Sequence, residues 1–289
     1  METLNVIGAG RVGRTLAHLL QRHQVFAVQA VLNGTSDSAR AAVAFIGAGE
    51  AAEALAAMAP ADVWMITTPD RRIAVECEKL AASGRLRPGD AVFHCSGALA
   101  SSELASAAAA GARVASVHPL KTFAAPADAI RTFAGTPCVA EGDPAALDVL
   151  LPAFERIGAR VLAIDRAQKT LYHAACVIVS NDLVALLEAG LRCFQKAGIA
   201  REAASQMIEP IVRETVDNVF RSGTVQALTG PVARGDDLVV ARHLEALTAS
   251  DAQITAIYRA LAGVAVELAR EKGSAADEAL ARIEALLGW

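Results

Sequence analysis

A histidine wedged before a proline closes the apolar run "ARVASVHP" (Ala112–Pro119), and Lys121 and Thr122 follow at once. Two earlier runs end in the same way. "DAVFHCSG" (Asp90–Gly97) closes on His94, Cys95, Ser96 and Gly97, and "ADVWMITTP" (Ala61–Pro69) on Thr67, Thr68 and Pro69, with Asp70 next. Short apolar runs bounded by turn residues read as buried strands. In open parallel sheets ligands gather beyond the carboxyl ends of the strands, so these three ends should converge on one site. An imidazole can take or give a substrate hydroxyl proton near neutral pH. That makes His118 the candidate acid–base group, with Ser96 hydrogen-bonding the same oxygen. A backbone-bonded His118 is the bland alternative. His94, one residue inside its strand, fits a structural role better, and Cys95 reads as a small hydrophobe rather than a nucleophile.

A second motif explains what such a site could work on. "GAGRVG" places Gly8, Gly10 and Gly13 directly after the strand "LNVIG" and at the opening of the helix "RVGRTLAHLLQR". This is a dinucleotide fingerprint in its required context: tight turn, close approach of backbone to a diphosphate, close helix–strand packing. Free N–H groups at Arg11, Val12 and Gly13 would hold the diphosphate. The next strand, Phe26–Asn33, ends on Asn33 where NAD-binding versions carry a carboxylate, and Thr35, Ser36 and Arg40 follow. Hydroxyls and a guanidinium suit a 2′-phosphate, so the expected cofactor is NADP(H) rather than NAD(H), despite Asp37. Thr67, Thr68 and Pro69 complete the expected cofactor contacts.

A third set lies on a helix. Lys169, His173, Cys176 and Ser180 recur at helical spacing, with Asn181 on the flank, and "LTGPVARGDD" presents Arg234 at a turn. Lys169, His173, Asn181 and Arg234 are the candidate substrate-binding groups. The competing readings are exposed first-turn side chains and a surface Arg234–Asp236 pair. Asn181, set between two apolar stretches, is expected to be buried and partnered.

The elements that must hold these residues fall into two halves. Up to Asp165, apolar runs alternate with helical patterns, the signature of βα units and a mainly parallel sheet. Strands are also expected at "TPCVAEG" and "ARVLAID", with the helix "DPAALDVLLPAFERIG" between them, capped by Asp143 with Pro144 at its first position. After Asp165 the pattern is helical, beginning with one long helix from Arg166 to Ala197 and broken by the island Ala227–Asp237. The expected fold is therefore a Rossmann-type α/β domain over residues 1–165, followed by an all-α domain over 166–289 that binds substrate and pairs with a second copy. With 289 residues either half can bury a core.

Net charge is −4 without basic clusters, which argues against nucleic acid or an anionic membrane. No apolar run approaches the roughly 18 residues of a membrane span. The start enters a strand directly, leaving no secretory pattern, and five cysteines without C-x-x-C spacing fit reduced thiols. A cytoplasmic protein without a metal site is the expectation.

In order along the chain, "VIGAGRVG", "ITTPD", "HCSGALASSEL", "GARVASVHPLKTF", "YHAACVIVSN" and "LTGPVARGD" resemble a family that joins a Rossmann-like domain to domain of unknown function 2520. The resemblance spans nearly the whole chain and implies an NADP-binding oxidoreductase of unspecified substrate. The wider superfamily is similar to 6-phosphogluconate, β-hydroxyacid and prephenate dehydrogenases, pyrroline-5-carboxylate reductase and ketopantoate reductase. Ser96 and His118 match a serine and an "HP" pair that surround the oxidised hydroxyl in prephenate dehydrogenases. β-Hydroxyacid dehydrogenases follow their lysine with asparagine one turn later, whereas Lys169 is followed by His173.

The function expected from all this is an NADP(H)-dependent oxidoreductase acting on a small, anionic hydroxy or oxo compound bound between the two domains. The alternatives are a non-catalytic NADP(H) sensor and an imine reductase, which needs no strong base.

Overall fold

Near-continuous aliphatic runs make strands that are buried on both faces, and such strands need helices on each side of a sheet. The computed structural model, which describes residues 1–288, has that arrangement. In chain order, β1 (Thr3–Ile7), α1 (Arg11–Arg22), β2 (Ala27–Leu32), α2 (Ser36–Ile46), β3 (Glu50–Ala52), β4 (Val63–Ile66), α3 (Asp70–Ala82) and β5 (Ala91–His94) come first. They are followed by α4 (Ala105–Ala109), β6 (Arg113–Pro119), α5 (Pro126–Arg131), β7 (Pro137–Gly142), α6 (Pro144–Arg156) and β8 (Arg160–Ala163). The sheet order is β3-β2-β1-β4-β5-β6-β7-β8, parallel throughout except where β6 meets β7. The order reverses between β1 and β4, the crevice where open α/β sheets bind ligands.

One core, with Leu16, Phe93, Leu150 and Phe154, lies under α1 and α6. The other, with Trp64, Ile73, Leu80 and Leu104, lies under α3 and α4. The short β3 had no apolar run to announce it. Asp143 precedes α6 as expected, but its carboxylate does not cap the helix. It accepts instead from the Val114 N–H at 2.8 Å and so joins β6 to the β7–α6 turn.

The chain divides into two compact units, Met1–Ile178 and Val179 onward. The helix after Asp165, α7 (Lys169–Lys196), therefore spends its first turns in the first unit. Asp165 accepts from the Ala167 N–H at 2.7 Å where this helical stretch begins. In the second unit, α9 (Gly230–Ala233), α10 (Asp237–Ser250), α11 (Ala252–Lys272) and α12 (Asp277–Leu287) share a core around Val240, Val266, Leu280 and Ile283. The stretch after Gly235 that reads as one helical pattern is two helices, because Asp251 leaves helical geometry and caps α11 through Gln253 and Ile254. The island 227–237 contains the single turn α9.

By contrast α8 (Arg201–Ala227), kinked at Gly223, buries only Ala204. Within the helical segment Arg166–Lys196 an 18-residue window reaches a mean hydropathy of 1.7. By length and composition this helix and 252–272 are long and apolar enough to cross a membrane, contrary to the expectation that no stretch approaches a span.

Candidate functional site

At the first crossover the fingerprint does what its glycines allow. Gly8 has φ +87°, and a Cβ there would lie 2.6 Å from Thr68 Cγ2; a Cβ at Gly13 would lie 2.2 Å from Thr67 Oγ1. Thr67 Oγ1 donates to the Gly8 carbonyl at 2.6 Å, tying the end of β4 to the loop. A Cβ at Gly10 would meet nothing within 4 Å. No side chain caps α1, so its first N–H groups, including those of Arg11 and Val12, face an open position suited to an anion. Thr68 Oγ1 is buried without a partner beside this loop. Closely packed glycines, an uncapped helix start and an orphaned hydroxyl together fit a dinucleotide diphosphate.

The 2′-phosphate set is less free than its sequence suggests. Asn33 Oδ1 accepts from the Ala9 N–H at 2.6 Å, and its amide donates to the Ser38 carbonyl at 2.9 Å, so Asn33 pins the loop to α2. Thr35 caps α2 by accepting from the Ser38 N–H. Arg40 is exposed and paired with Asp37 at 2.5 Å. Ser36, at the first turn of α2, is half-buried.

The polar cluster forms in the first unit from the ends of β5 and β6 and the first turns of α7. His118 Nδ1 lies 2.8 Å from Tyr172 Oη, and the His118 and His173 rings stand edge to face at 6.1 Å. Gly97 fits between them only because it lacks a side chain: a Cβ there would lie 2.5 Å from His173 Cδ2 and 2.8 Å from His118 Nε2. Lys169, only 1% exposed, donates to Ser116 Oγ at 2.9 Å. Its charge lies close enough to bear on His118. Burial lowers its pKa, while nearby Glu141 opposes that shift. Burial, with help from Lys169 and His173, pushes His118 down to about 4. His118 is therefore neutral at physiological pH, and its titration lies below the range expected for a free imidazole.

Ser96 departs from its expected part. Its hydroxyl donates to Asp70 Oδ2 at 2.9 Å and accepts from the N–H groups of Ala98 and Leu99. Its one proton is already committed, and it holds the loop that carries Gly97 beside His118. His94 is structural, as its strand position suggests. Nδ1 accepts from the Ser96 N–H and Nε2 donates to the Ala100 carbonyl, both at 3.1 Å. Cys95 is held as a neutral thiol by burial. Glu141, 1% exposed, accepts from the N–H and hydroxyl of Ser101, each at 2.7 Å, which anchors the far end of the same loop.

Tyr172 is the residue that spacing alone did not single out. It stands one turn after Lys169 and faces the same way, as a helix places residues three and four apart.

Asn181 and Arg234 belong to the second unit. Asn181 is exposed, not buried as expected, and accepts from Ser180 Oγ at 3.0 Å. Arg234 is exposed at the end of α9, while Asp236 caps α10 through Val239. A cavity of about 770 Å³ also belongs to this unit, with Phe194, Leu228, Leu247 and Leu261 among its walls. Its polar feature is a His243–Tyr258 pair at 3.1 Å. Among the described residues no cluster could hold a metal ion.

Known proteins place the chain by sequence and by shape. Residues 2–119 match the Rossmann-like domain family, and residues 136–264 match the domain of unknown function DUF2520. No curated protein sequence matches the chain. Protein TM1727 from Thermotoga maritima superposes with a TM-score of 0.76 at 25% identity, covering 93% of this chain and 99% of that one. An imine reductase from Myxococcus stipitatus, solved with NADP+, gives a TM-score of 0.64 at 18% identity over 97% of this chain and 99% of its own. A pyrroline-5-carboxylate reductase from Coxiella burnetii gives 0.60 at 14% identity over 99% and 98%. The chain thus joins a Rossmann-like domain to a DUF2520 domain.

Proposed function

We propose that this protein is an NADP(H)-dependent oxidoreductase acting on a small hydroxy or oxo compound. The observation that carries the reading is the pairing of two features in one unit: a nucleotide loop with an uncapped helix start, and a half-buried imidazole at the neighbouring strand ends. Bound NADPH would supply the hydride. The Gly8–Gly13 loop and the start of α1 hold its diphosphate, and Thr67 and Thr68 shape the loop's floor. His118 hydrogen-bonds the substrate oxygen, and Ser96 keeps the Gly97 loop in place against it. NADP(H) is favoured over NAD(H) because β2 ends on Asn33 and no carboxylate stands there. Asp37 is paired with Arg40 at the surface.

The test is to follow NADPH absorbance with a panel of 2-oxo acids, aldehydes and imines. His118→Ala should lower turnover at least a hundredfold while NADPH affinity stays within twofold. Unchanged turnover removes His118 from the reaction. No turnover by the wild type, with NADPH still bound, would favour the sensor reading.

Imine reduction is the second reading. It is favoured by the depressed His118 pKa, since an iminium needs no acid, and by the names of the Myxococcus and Coxiella neighbours. Under it, His118 substitutions are mild.

We also propose that a second copy of the chain covers the helical unit. A 27-residue helix that buries one alanine gains almost nothing from its own chain, and isolated helices are marginal in water. Val179, Val184, Met207, Ile211 and Phe220 are all more than half exposed. A membrane is the poorer occupant, since the first turns of α7 carry the buried Lys169 and the His118 partners. Five free thiols suit a reducing compartment such as the cytoplasm.

A further inference from the structure

Gly97 is buried, yet its backbone N–H has no acceptor among the described residues. Its neighbours in the loop are well bonded. The N–H of Ser96 is taken by His94 Nδ1, and those of Ala98 and Leu99 by Ser96 Oγ. Ser101 is anchored on Glu141. Buried N–H groups in folded proteins nearly always find a partner. One left over in so firmly held a loop marks a place for an acceptor from outside.

Two imidazoles share that place. The Cβ that Gly97 lacks would lie 2.5 Å from His173 Cδ2 and 2.8 Å from both Cε1 and Nε2 of His118, so the backbone here lies against both rings. His118 meets Tyr172 through Nδ1 and has no partner at Nε2 among the described residues. His173 contacts His118 ring to ring and likewise makes no hydrogen bond among them. Polar groups from the loop after β5, from β6 and from α7 thus converge without partners. The charges that bear on His118 are those of Lys169 and His173. The carboxylates nearby are engaged elsewhere: Asp70 accepts from Ser96 Oγ, and Glu141 from Ser101 and Arg166. A buried ammonium close to an N–H that lacks an acceptor favours an anion.

We infer that Gly97 and His173 form a carboxylate pocket beside His118, and that the substrate is a short acid whose carboxylate neighbours the carbon being reduced. The two rings are immediate neighbours, 6.1 Å between centroids, with Gly97 against both. A carboxylate held by Gly97 and His173 therefore sits next to the atom that His118 meets. The class is a 2-oxo or 3-oxo acid or the matching imine. The inference rests on the proposed role of His118 and names the substrate class for it. It gives the acid group an anchor within the first unit, independent of Asn181 and Arg234 in the second.

The test is an NMR titration of the protein, with and without NADP+, that follows the imidazole Cε1–H signals of His118 and His173, assigned from His118→Asn and His173→Asn. Pyruvate and acetoacetate should move both signals and saturate. Their neutral amides, pyruvamide and acetoacetamide, should bind at least about tenfold more weakly. His173→Ala should weaken pyruvate by roughly the same factor, read at His118, and Gly97→Ala should do so by filling the pocket. Equal binding of acid and amide would overturn the inference. So would pyruvate binding unchanged in His173→Ala, or no shift by either acid in both cofactor states. The comparison of acid with amide needs only the wild type, so it decides the matter even if a variant does not fold. Acid binding without turnover of any compound would count against the oxidoreductase reading alone. Turnover of other compounds without acid selectivity would count against this inference alone.

Discussion

His118 stays neutral because burial strips a protonated ring of water, and the nearby charge of Lys169 adds to that cost. The consequence for stability has a definite sign. The folded-state value of about 4 lies below the ordinary value of 6.5, so between the two the unfolded chain binds more protons. Stability contributed by the neutral ring is complete above pH 6.5 and is lost as pH falls toward 4. The full shift corresponds to at most about 3 kcal/mol, and buried His94, also lowered by burial, adds in the same direction. Urea melts from pH 7.5 to 4.5 should show stability falling with pH, and His118→Asn should flatten the curve. A wild-type curve already flat over that range would contradict the assignment. Ser96→Ala should cost about 1–2 kcal/mol by orphaning two N–H groups and Asp70, and should lower turnover less than His118→Ala does. At this scale the sequence exposed residue types and not their partners. His118 stood out because it closes a strand beside proline. Asn33 and Lys169 were visible, but their hydrogen bonds to Ala9 and Ser116 join residues 24 and 53 positions apart. Tyr172 passed as one more ring on an apolar helix.

Strands and helices were easier to foresee, because the periodicity of buried side chains is written locally. The run from β4 to β8 and the helix after Asp165 follow directly from apolar patterning and turn residues. β3 was missed because three residues of Glu-Ala-Ala carry no pattern, and they pair only because β2 already stands there. The break at Asp251 was missed because one capping residue interrupts an otherwise continuous helical stretch. The fingerprint offers the sharpest test at this level. Gly13→Ala would drive a Cβ into Thr67 Oγ1, a displacement expected to cost about 1–3 kcal/mol and to weaken NADPH binding at least tenfold. Replacing Thr67 by Ser in the same background leaves the clash in place, because the hydroxyl remains; replacing it by Ala should recover part of both losses. Recovery by Ser as full as by Ala would place the strain elsewhere.

For the whole molecule, the unequal burial of the helical unit matters most. α10, α11 and α12 share a core, whereas α8 has almost none. Val184→Glu together with Ile211→Glu should shift the protein from dimer to monomer in light scattering and lower the melting temperature. A wild-type monomer at micromolar concentration would contradict the proposal. Where a nucleotide lies decides whether His118 can meet its reactive ring, and a crystal structure with NADP+ measures that directly. The diphosphate is expected against the N–H groups of Arg11, Val12 and Gly13, with the nicotinamide ring in contact distance of His118. A ring on the opposite face of the sheet, or a loop into which no nucleotide enters, would contradict it.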